Sequence, residues 1–489
     1  MKKIISFVLA ILMLAGIVTL ASCKDKEEPD DTGTVATTAA VSADTEPEFT
    51  FPEAYYNDEL FLIYNRIASD YGAEYIVSGE VNGDIVNDAV FTRNSMVEQK
   101  YGILIETKND AHPCNYVRPD VASGDVDYDI LLDIKTHLAT LTVNSVLADF
   151  NDLNVDFSRP WWDRHFVTDL SVGGRTYLMQ CDVSIARFTN IRFFYFNKEM
   201  IKSYHLDDPI TLYDKDEWTL ENFLTMVKGV SSPAGDGSLG TYGIVLEEGA
   251  NNGVYMHMLT GIGVRYTHVD SDGLITEIIS DQADKIDSFN TILSAVFNDK
   301  NYALTMDEAV ELNGTNPVTG NHKYDQARSL WAQGHFLFTQ SSIAATNQFR
   351  EMKDDYGIMP NPKYNKDQAE YAHKCDKYAL AFAIPLSDSV DMERLATVMD
   401  YWAYVSRDTV IPKYYDITIL TKRFSDPRSS EIMDMIIDTV RYEFCDVFEI
   451  KQLPEAIYDG FVENNFSSTW ASIKSLLVTA LKNANDKYQ

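Results

Sequence analysis

The chain has 489 residues, of which 45% are hydrophobic, and its 74 acidic and 41 basic residues give a formal net charge of −33 at pH 7. A surface this acidic repels phosphate groups, which argues against a nucleic-acid-binding protein. The hydrophobic fraction is typical of a globular protein, and the length predicts two or more domain-sized units.

The N-terminal segment has the features of an export signal. Two lysines precede a long apolar run, as in the n-region and h-region of a secretory signal peptide. The run ends in LASC, which resembles the lipobox of bacterial lipoproteins and ends at Cys23. A run of this length can also span a bilayer, but the mixed charges after Cys23 do not form a stop-transfer cluster. We therefore expect residues 1–22 to be removed and Cys23 to carry a lipid that holds an extracytoplasmic protein at the cell membrane.

The next segment predicts a flexible spacer. Residues 23–48 are rich in Asp, Glu, Thr and Ala and contain almost no large apolar side chain. Such a segment cannot bury enough surface to offset the entropy of ordering, so we expect a disordered acidic tether. Four further cysteines follow, at positions 114, 181, 375 and 445. The compartment permits disulfides, and three full pairings are possible, but free buried thiols are equally compatible with the sequence.

The first part of the body predicts alternating strands and helices. DELFLIY, from Asp58, predicts a helix to about Asp70, and AEYIVSGE predicts a strand. NDAVFTRNSMVEQKYG predicts a helix that Gly102 caps. ILIETKND and DYDILLD predict two more strands, the second apolar enough to be covered on both faces. This alternation indicates a mostly parallel sheet flanked by helices.

The second part repeats the pattern. RFFYFNK predicts a strand that leads into the helix KEMIKSYHL, Thr219 is a candidate N-cap for LENFLTMVKGV, and GTYGIVLE predicts another strand. A long helix follows in DQADKIDSFNTILSAVFND, and TMDE, from Thr305, fits a capping box. YGIMPNP and KYALAFAIP predict strands, and three long helices complete the chain, the last from about Trp470. Two α/β lobes fit this length better than one very large sheet.

Motifs of several enzyme classes do not occur in the sequence. It contains no HExxH, no Gly-x-Ser-x-Gly, no Walker loop and no CxxC pair, so no nucleophile, metal site or cofactor is predicted. With 74 acidic residues, chance pairs of carboxylates are expected. A glycoside-cleaving enzyme, which needs two carboxylates, therefore stays open as an alternative.

Several short motifs occur in the order typical of one protein family. VASGDVDYDILL, LADFNDL, GGRTYLMQ, FYFNKEMIKSYHL, EWTLENFLTMVKGV and DDYGIMPNP follow one another between Ala73 and Asp408. In this order they resemble the extracellular solute-binding proteins of carbohydrate-type ABC importers, the family that includes maltose-binding protein. AHKCDKYAL departs from the glycine pair that many relatives carry near their cleft, and WAQGHFLFTQ lacks the family's Lys-Ala-Ala-Met core. These departures leave the ligand open.

The resemblance implies a two-lobed periplasmic-binding-protein fold of type II. Each lobe would be a mostly parallel sheet flanked by helices, and hinge crossovers near residues 182–190, 338–340 and 384–387 would let the lobes close on a ligand. The N-terminal lobe would comprise residues 49–183 and 339–385. The C-terminal lobe would comprise residues 184–338 and 386–489.

In such a fold the ligand binds between the lobes, at the carboxyl ends of strands. Polar and aromatic residues at predicted strand ends and crossovers are the candidate ligand contacts: Ser78, Glu80, Asp133, Asn190, Tyr255, Gln340 and Ser341. The adjacent Trp161 and Trp162 are a further candidate pair. One of them would stack on a ligand, or both would staple their own loop, which is the simpler interpretation.

The family implies a function without catalysis. The protein would be a monomeric binding subunit that captures a small polar ligand, such as a sugar or oligosaccharide, and delivers it to permease subunits in the membrane. Its own contact with the membrane would be the lipid anchor only. Two alternatives keep part of this interpretation: a surface-anchored enzyme acting on glycosides, and a ligand-sensing receptor with the same fold.

Overall fold

The computed structural model describes residues 49–67, 76–142, 144–251, 253–318, 322–349, 352–418, 426, 428–450 and 453–488. The predicted signal peptide, Cys23 and the whole of the tether lie outside these residues. The body, Phe51–Gln489, forms one compact unit. Among the described residues, no helix combines the length and apolarity that a bilayer crossing requires.

The first sheet has the strand order β2-β1-β3-β14-β4. Its strands are β1 (Glu59–Arg66), β2 (Ile103–Asp110), β3 (Ile130–Ile134), β4 (Leu147–Ala148) and, much later in the chain, β14 (Leu380–Pro385). β1 pairs in parallel with β2 and β3, whereas β14 runs antiparallel to β3 and β4. The chain moves towards one edge of the sheet from β1 to β2 and back across β1 from β2 to β3. Because both crossovers are right-handed, the helix after β1 and the helix after β2 lie on opposite faces.

The helix predicted from Asp58 is wrong, because this segment is strand β1. Its side chains follow a period of two at the start, with Leu60 43% exposed and Phe61 fully buried. Neighbouring strands then cover β1 on both edges. A short apolar run does not distinguish a strand from a buried helix by periodicity, which explains the error. The strand predicted from AEYIVSGE is described only for residues 76–80, and these do not form a strand.

Helices cover both faces of the first sheet. They are α1 (Ile85–Tyr101), α2 (Cys114–Ser123), α3 (Lys135–Thr142) and, from the later chain, α13 (Met392–Thr418). α13 packs on α1, and Trp402 of α13 contacts Phe61 of β1 edge to face at 6.1 Å. α2 packs on α3 at the opposite face. The predicted cap of α1 is confirmed: Gly102 has φ +58°, and a Cβ there would lie 2.4 Å from the Tyr55 ring.

The second sheet has the strand order β10-β7-β11-β5-β12, with β6 beside β7. Its strands are β5 (Arg192–Asn197), β6 (Ser231–Ser232), β7 (Thr241–Leu246), β10 (Ala303–Thr305), β11 (Phe336–Ser342) and β12 (Tyr356–Met359). Two small ladders accompany it: β8 (Thr267–Val269) with β9 (Ile275–Glu277), and β13 (His373–Lys374) with β15 (Val440–Arg441). β7, β10 and β11 are parallel, and β5 is antiparallel to β11 and β12.

The remaining helices include those predicted from KEMIKSYHL, LENFLTMVKGV and DQADKIDSFNTILSAVFND, together with several short helices that the sequence did not predict. They are α4 (Arg164–Leu170), α5 (Ala186–Thr189), α6 (Lys198–Ser203), α7 (Pro209–Asp214), α8 (Leu220–Gly229), α9 (Val254–Gly261), α10 (Ala283–Phe297), α11 (Met306–Leu312), α12 (His322–Ala332), α14 (Arg428–Asp438), α15 (Phe444–Val447), α16 (Leu453–Val462) and α17 (Phe466–Tyr488). The capping box at Thr305 and Glu308 is confirmed. Thr219 occupies the N-cap position of α8 but makes no side-chain cap bond.

The chain passes between the two sheets at other places than predicted. The first connector, residues 182–191, agrees with the prediction. The return predicted at residues 338–340 is wrong, because β11 and β12 both belong to the second sheet. The chain returns between Met359 and Leu380, in the segment that forms the second connector. Cys375 in this connector forms an isolated antiparallel β-bridge with Ile191 in the first. The third passage is helix α13, which packs on α1 of the first lobe and is followed by α14, which packs on β12 of the second. Residues 386–489 are therefore not confined to the second lobe, contrary to the prediction.

The four cysteines of the body are free thiols. Cys181, Cys375 and Cys445 are buried, and Cys114 is partly exposed. Burial raises the pKa of the Cys445 thiol well above its ordinary value. The core thiols are therefore protonated at neutral pH and behave as small apolar side chains.

Candidate ligand-binding site

The first sheet carries a charged cluster at the carboxyl ends of its parallel strands. Asp133, near the end of β3, is fully buried, and its carboxylate accepts hydrogen bonds from the backbone N–H of Ile134 at 2.7 Å and of Cys114 at 3.2 Å. Arg66 Nη1 lies 3.4 Å from the carboxylate and His137 Nδ1 lies 3.3 Å from it. The His137 side chain is 41% exposed. Asp133 is thus positioned to orient Arg66 and His137, the groups nearer to solvent.

A pocket of about 350 Å³ lies between α3 of the first lobe, the helix that follows β3, and α15 and α17 of the second. Thr136, Ala139 and Thr140 form its first wall, on one face of α3, because residues three and four apart are neighbours on a helix. The other wall consists of Phe444, Phe448, Glu449, Ile450, Ala480, Asn483, Ala484 and Lys487. The volume is in the range of small-molecule sites. Residues of both lobes are therefore needed to form the pocket.

The lining combines a flat apolar wall with a few polar groups. The rings of Phe444 and Phe448 stack with centroids 4.1 Å apart and an interplanar angle of 18°. The Glu449 carboxylate lies 3.1 Å from Lys377 Nζ, which fixes its orientation. Asn483 adds an amide and α3 adds two hydroxyls. Aromatic faces suit the C–H surfaces of a hydroxyl-rich molecule, and the polar groups suit its hydroxyls.

Behind the pocket a buried polar network joins the lobes. The Tyr442 hydroxyl donates to Asp163 Oδ2 at 2.6 Å, and its oxygen also lies 3.0 Å from Gln180 Oε1. Lys135 Nζ lies 4.6 Å from the Tyr442 ring centroid and donates to Cys375 Sγ at 3.4 Å. Burial, and then Asp163, raise the pKa of Tyr442 well above its ordinary value, so the hydroxyl remains a donor. Opening of the lobes would have to break these contacts.

A second buried network surrounds Glu443. Its carboxylate lies 2.6 Å from Arg265 Nε and accepts from the backbone N–H of Tyr266 at 3.1 Å. Arg265 also lies 3.4 Å from Asp169 on α4. Burial is the largest influence and raises the pKa of Glu443 from 4.5 to about 7, although Arg265 opposes it.

This pKa predicts a pH dependence of stability. Below the ordinary pKa of 4.5 Glu443 is protonated in both states, and its contribution to stability is fully present. As the pH rises towards about 7 the unfolded chain loses the proton first, so the free energy of unfolding falls, by about 1.4 kcal/mol per pKa unit. Glu443→Gln should flatten this part of the profile in urea unfolding measured at successive pH values. Parallel profiles for the two proteins would contradict the assignment.

The second sheet carries its own charged cluster at the carboxyl end of β7. Glu247 is buried, forms an ion pair with Arg192, and lies 3.2 Å from Arg328 Nε. The Tyr324 ring lies within 6.0 Å of both guanidinium groups. A smaller pocket of about 120 Å³ adjoins this cluster and is lined by Tyr255, among others. The carboxyl ends of both sheets thus carry polar groups, as predicted. Glu247 lines the smaller pocket, whereas Asp133, Arg66 and His137 do not line the interlobe pocket.

The predicted site residues before and at the first connector do not line the interlobe pocket. Ser78 and Glu80 lie in the loop before α1, where Ser78 Oγ donates to Asn87 Oδ1 at 2.8 Å and also lies 3.0 Å from the Glu80 carbonyl oxygen. The Asn190 carbonyl accepts a hydrogen bond from the Asp376 backbone N–H at 3.0 Å. Asn190 therefore ties two connectors together. A ligand contact for these residues, and for Asp133, stays a prediction.

The predicted residues in the second lobe are also apart from that pocket. Tyr255 stacks on Phe461 with centroids 3.9 Å apart and lines the smaller pocket. Gln340 and Ser341 are fully buried in β11, and Gln340 Nε2 donates to Asn361 Oδ1 at 2.8 Å. These two side chains belong to the interior of the second sheet.

Trp161 and Trp162 are core residues. Their relative exposures are 0% and 2%, and both indole N–H groups donate to Asp400 Oδ1, at 2.8 and 2.9 Å. Arg159 also forms an ion pair with Asp400. The contacts staple the loop to α13, and their burial leaves no ring face for a ligand.

The sequence interpretation missed the residues that line the interlobe pocket. Thr136 and Thr140 directly follow the strand DYDILLD, so their place after a strand end was a usable signal. Phe444 and Phe448 have helical spacing, but their helix α15 has only four residues. Asn483 lies in the last helix, far from the other lining residues in sequence. No local pattern predicts that these segments meet.

No protein-family model matches the chain, and no curated protein matches it. Solved structures do match. The apo form of RafE from Streptococcus pneumoniae is 14% identical, with a TM-score of 0.51, over 90% of this chain and 100% of that one. A cyclo/maltodextrin-binding protein complexed with maltotetraose is also 14% identical, with a TM-score of 0.53, over 88% of this chain and 96% of that one. The chain has the two-lobed α/β fold of these solute-binding proteins.

Proposed function

We propose that the protein is the extracytoplasmic substrate-binding component of an ABC importer. It captures a small carbohydrate between its lobes and delivers it, unaltered, to permease subunits in the membrane. Cys23 anchors the protein through a lipid, and residues 23–48 tether a monomeric body to that anchor. The fold supports this proposal, and one structural neighbour is a cyclo/maltodextrin-binding protein in complex with maltotetraose.

The interlobe pocket is the observation that carries the proposal. Its wall offers the partly exposed Phe448 ring, which stacks on the buried Phe444 ring, and the opposite wall offers the hydroxyls of Thr136 and Thr140. A neutral sugar has apolar C–H faces and hydroxyl edges, and these two kinds of wall match them. Because the walls belong to different lobes, a bound sugar would hold the lobes together.

The pocket lining favours binding over hydrolysis. Glycoside cleavage commonly requires two carboxylates that flank the scissile bond. Among the described residues that line this pocket, Glu449 is the only acid. Its carboxylate is also held by Lys377, at 3.1 Å. A glycoside-cleaving enzyme would need a second carboxylate from elsewhere.

A sugar panel tests the function directly. At a sugar concentration 100 times the dissociation constant, a ligand of the folded state should add about 2.7 kcal/mol to the free energy of unfolding. We expect a neutral mono- or oligosaccharide to raise the melting temperature and change tryptophan fluorescence, and chromatography to recover it intact. Recovery of cleaved sugar would establish an enzyme, and no response to any sugar would reject the carbohydrate ligand.

A further inference from the structure

A second interlobe pocket, of about 430 Å³, lies where two connectors pass between the lobes. Its walls come from the first connector, from the second half of α13 and from α14. It shares no lining residue with the pocket between α3 and α15. α13 also covers the face of the first sheet opposite to α3, so the two pockets are independent sites.

One wall of this connector pocket presents a cation that forms no ion pair with a described residue. Arg407 of α13 is half-buried, and its charge favours the ionised forms of Asp182 and Asp434, but no residue in the described part of the chain forms a hydrogen bond or ion pair with it. The neighbouring Arg187 differs, because it lies 2.6 Å from Asp182 and 3.5 Å from Asp163. A partly desolvated guanidinium is stabilised by a planar anion that accepts two parallel hydrogen bonds. The Arg407 side chain therefore suits a carboxylate.

A second wall presents two carboxylates of exposed residues. Asp434 and Asp438 are one turn apart on α14, and like charges at this spacing repel. Burial, and then Asp438, raise the pKa of Asp434, whereas Arg407 lowers it. No ion pair to either carboxylate occurs among the described side chains. An ammonium group between them would relieve the repulsion.

The third feature of the pocket is an aromatic corner. Phe188 of the first connector and Tyr415 of α13 meet edge to face, with ring centroids 5.9 Å apart. Ile411 adds an aliphatic side chain to the same lining. This surface can cover the apolar part of a small molecule whose charged ends meet the other two walls.

We propose that the connector pocket binds a small zwitterion of the free amino acid class. The carboxylate pairs with Arg407, the ammonium lies against Asp434 and Asp438, and the side chain packs on Phe188 and Tyr415. The occupant contacts the first connector, α13 and α14 at once. The positions of these three elements relative to one another would change when the lobes rotate. It therefore acts as an effector of lobe closure, and its affinity and that of a ligand between the lobes change each other by the same factor.

Binding of free amino acids to the full chain tests the proposal. We expect at least one of the common L-amino acids to raise the melting temperature and to give a saturable calorimetric signal. Propionate and propylamine carry one charge each and should bind at least about tenfold more weakly, a loss of about 1.4 kcal/mol. Arg407→Ala should weaken amino acid binding by a similar factor or more.

The controls separate this site from the rest of the protein. Lys413→Ala removes an exposed cation from the same helix, outside the pocket lining, and should leave amino acid binding unchanged. Arg407→Met keeps the aliphatic stem, and circular dichroism would verify that both Arg407 variants fold. Absence of amino acid binding to the folded protein, binding retained in Arg407→Ala, or equal binding of propionate would each overturn the proposal. None of these results depends on whether a sugar binds between the lobes.

Discussion

Replacement of Thr140 with arginine is expected to weaken sugar binding by about 100-fold, equivalent to about 2.7 kcal/mol. Thr140 is exposed and lines the interlobe pocket from α3, so a long charged side chain there would occupy the space of the ligand. The side chain makes only a local hydrogen bond, to the His137 carbonyl at 2.6 Å. The variant should therefore fold as stably as the wild type. Isothermal titration with the sugar found in the panel measures the change.

A matched control is available on α17. Thr479 is exposed, and its hydroxyl makes the same kind of local bond, to the Ser475 carbonyl at 2.8 Å, but it does not line the pocket. Thr479→Arg adds the same side chain and charge and should leave the affinity unchanged. If Thr140→Arg bound the sugar as well as Thr479→Arg does, the ligand site would have to be elsewhere.

The sequence predicted β2, β3 and β14 of the first sheet and β5, β7 and β12 of the second, because their apolar runs are bounded by turn and capping signals. TYGIVL and RFFYFN are read correctly from six residues each. β1 was missed, since its identity depends on pairing with β2 and β3 on both edges. Local periodicity does not indicate which strands pair with one another.

The passages between the lobes were only partly predictable for a related reason. β11 and β12 both pair with β5, which lies more than 130 residues earlier in the chain. Whether a strand joins the first or the second sheet depends on these long-range partners, and neither its composition nor its length indicates the choice. The same holds for α13, whose first half packs on α1.

The candidate site shows most clearly which features the sequence does not predict. Strand ends led to Asp133, whose contact with a ligand stays a prediction, and its carboxylate is occupied by Arg66, His137 and backbone N–H groups. The aromatic wall comes from α15, more than 300 residues after α3. A polar residue at a strand end is recognisable from sequence, whereas the opposite wall of an interlobe pocket requires the tertiary arrangement.

The Trp161–Trp162 loop allows a strong test of stability that is independent of any ligand. Asp400→Ala removes the acceptor shared by both indole N–H groups and the carboxylate paired with Arg159. Loss of one partner from a buried charged network costs about 3–5 kcal/mol, so the free energy of unfolding in urea should fall by about this amount. Asp400→Asn keeps one acceptor oxygen and should lose less.

Asp408→Ala is the matched control, because Asp408 lies two turns further along α13 and is exposed. Substitution at such a surface position should change stability by no more than about 0.5 kcal/mol. If Asp400→Ala were equally neutral, the two tryptophans would not be fixed by this carboxylate. A ring face could then be available to a ligand, and the interpretation of the pair as structural would fail. A large loss in Asp400→Ala alone would instead place the pair in the framework that holds α13 against the first lobe.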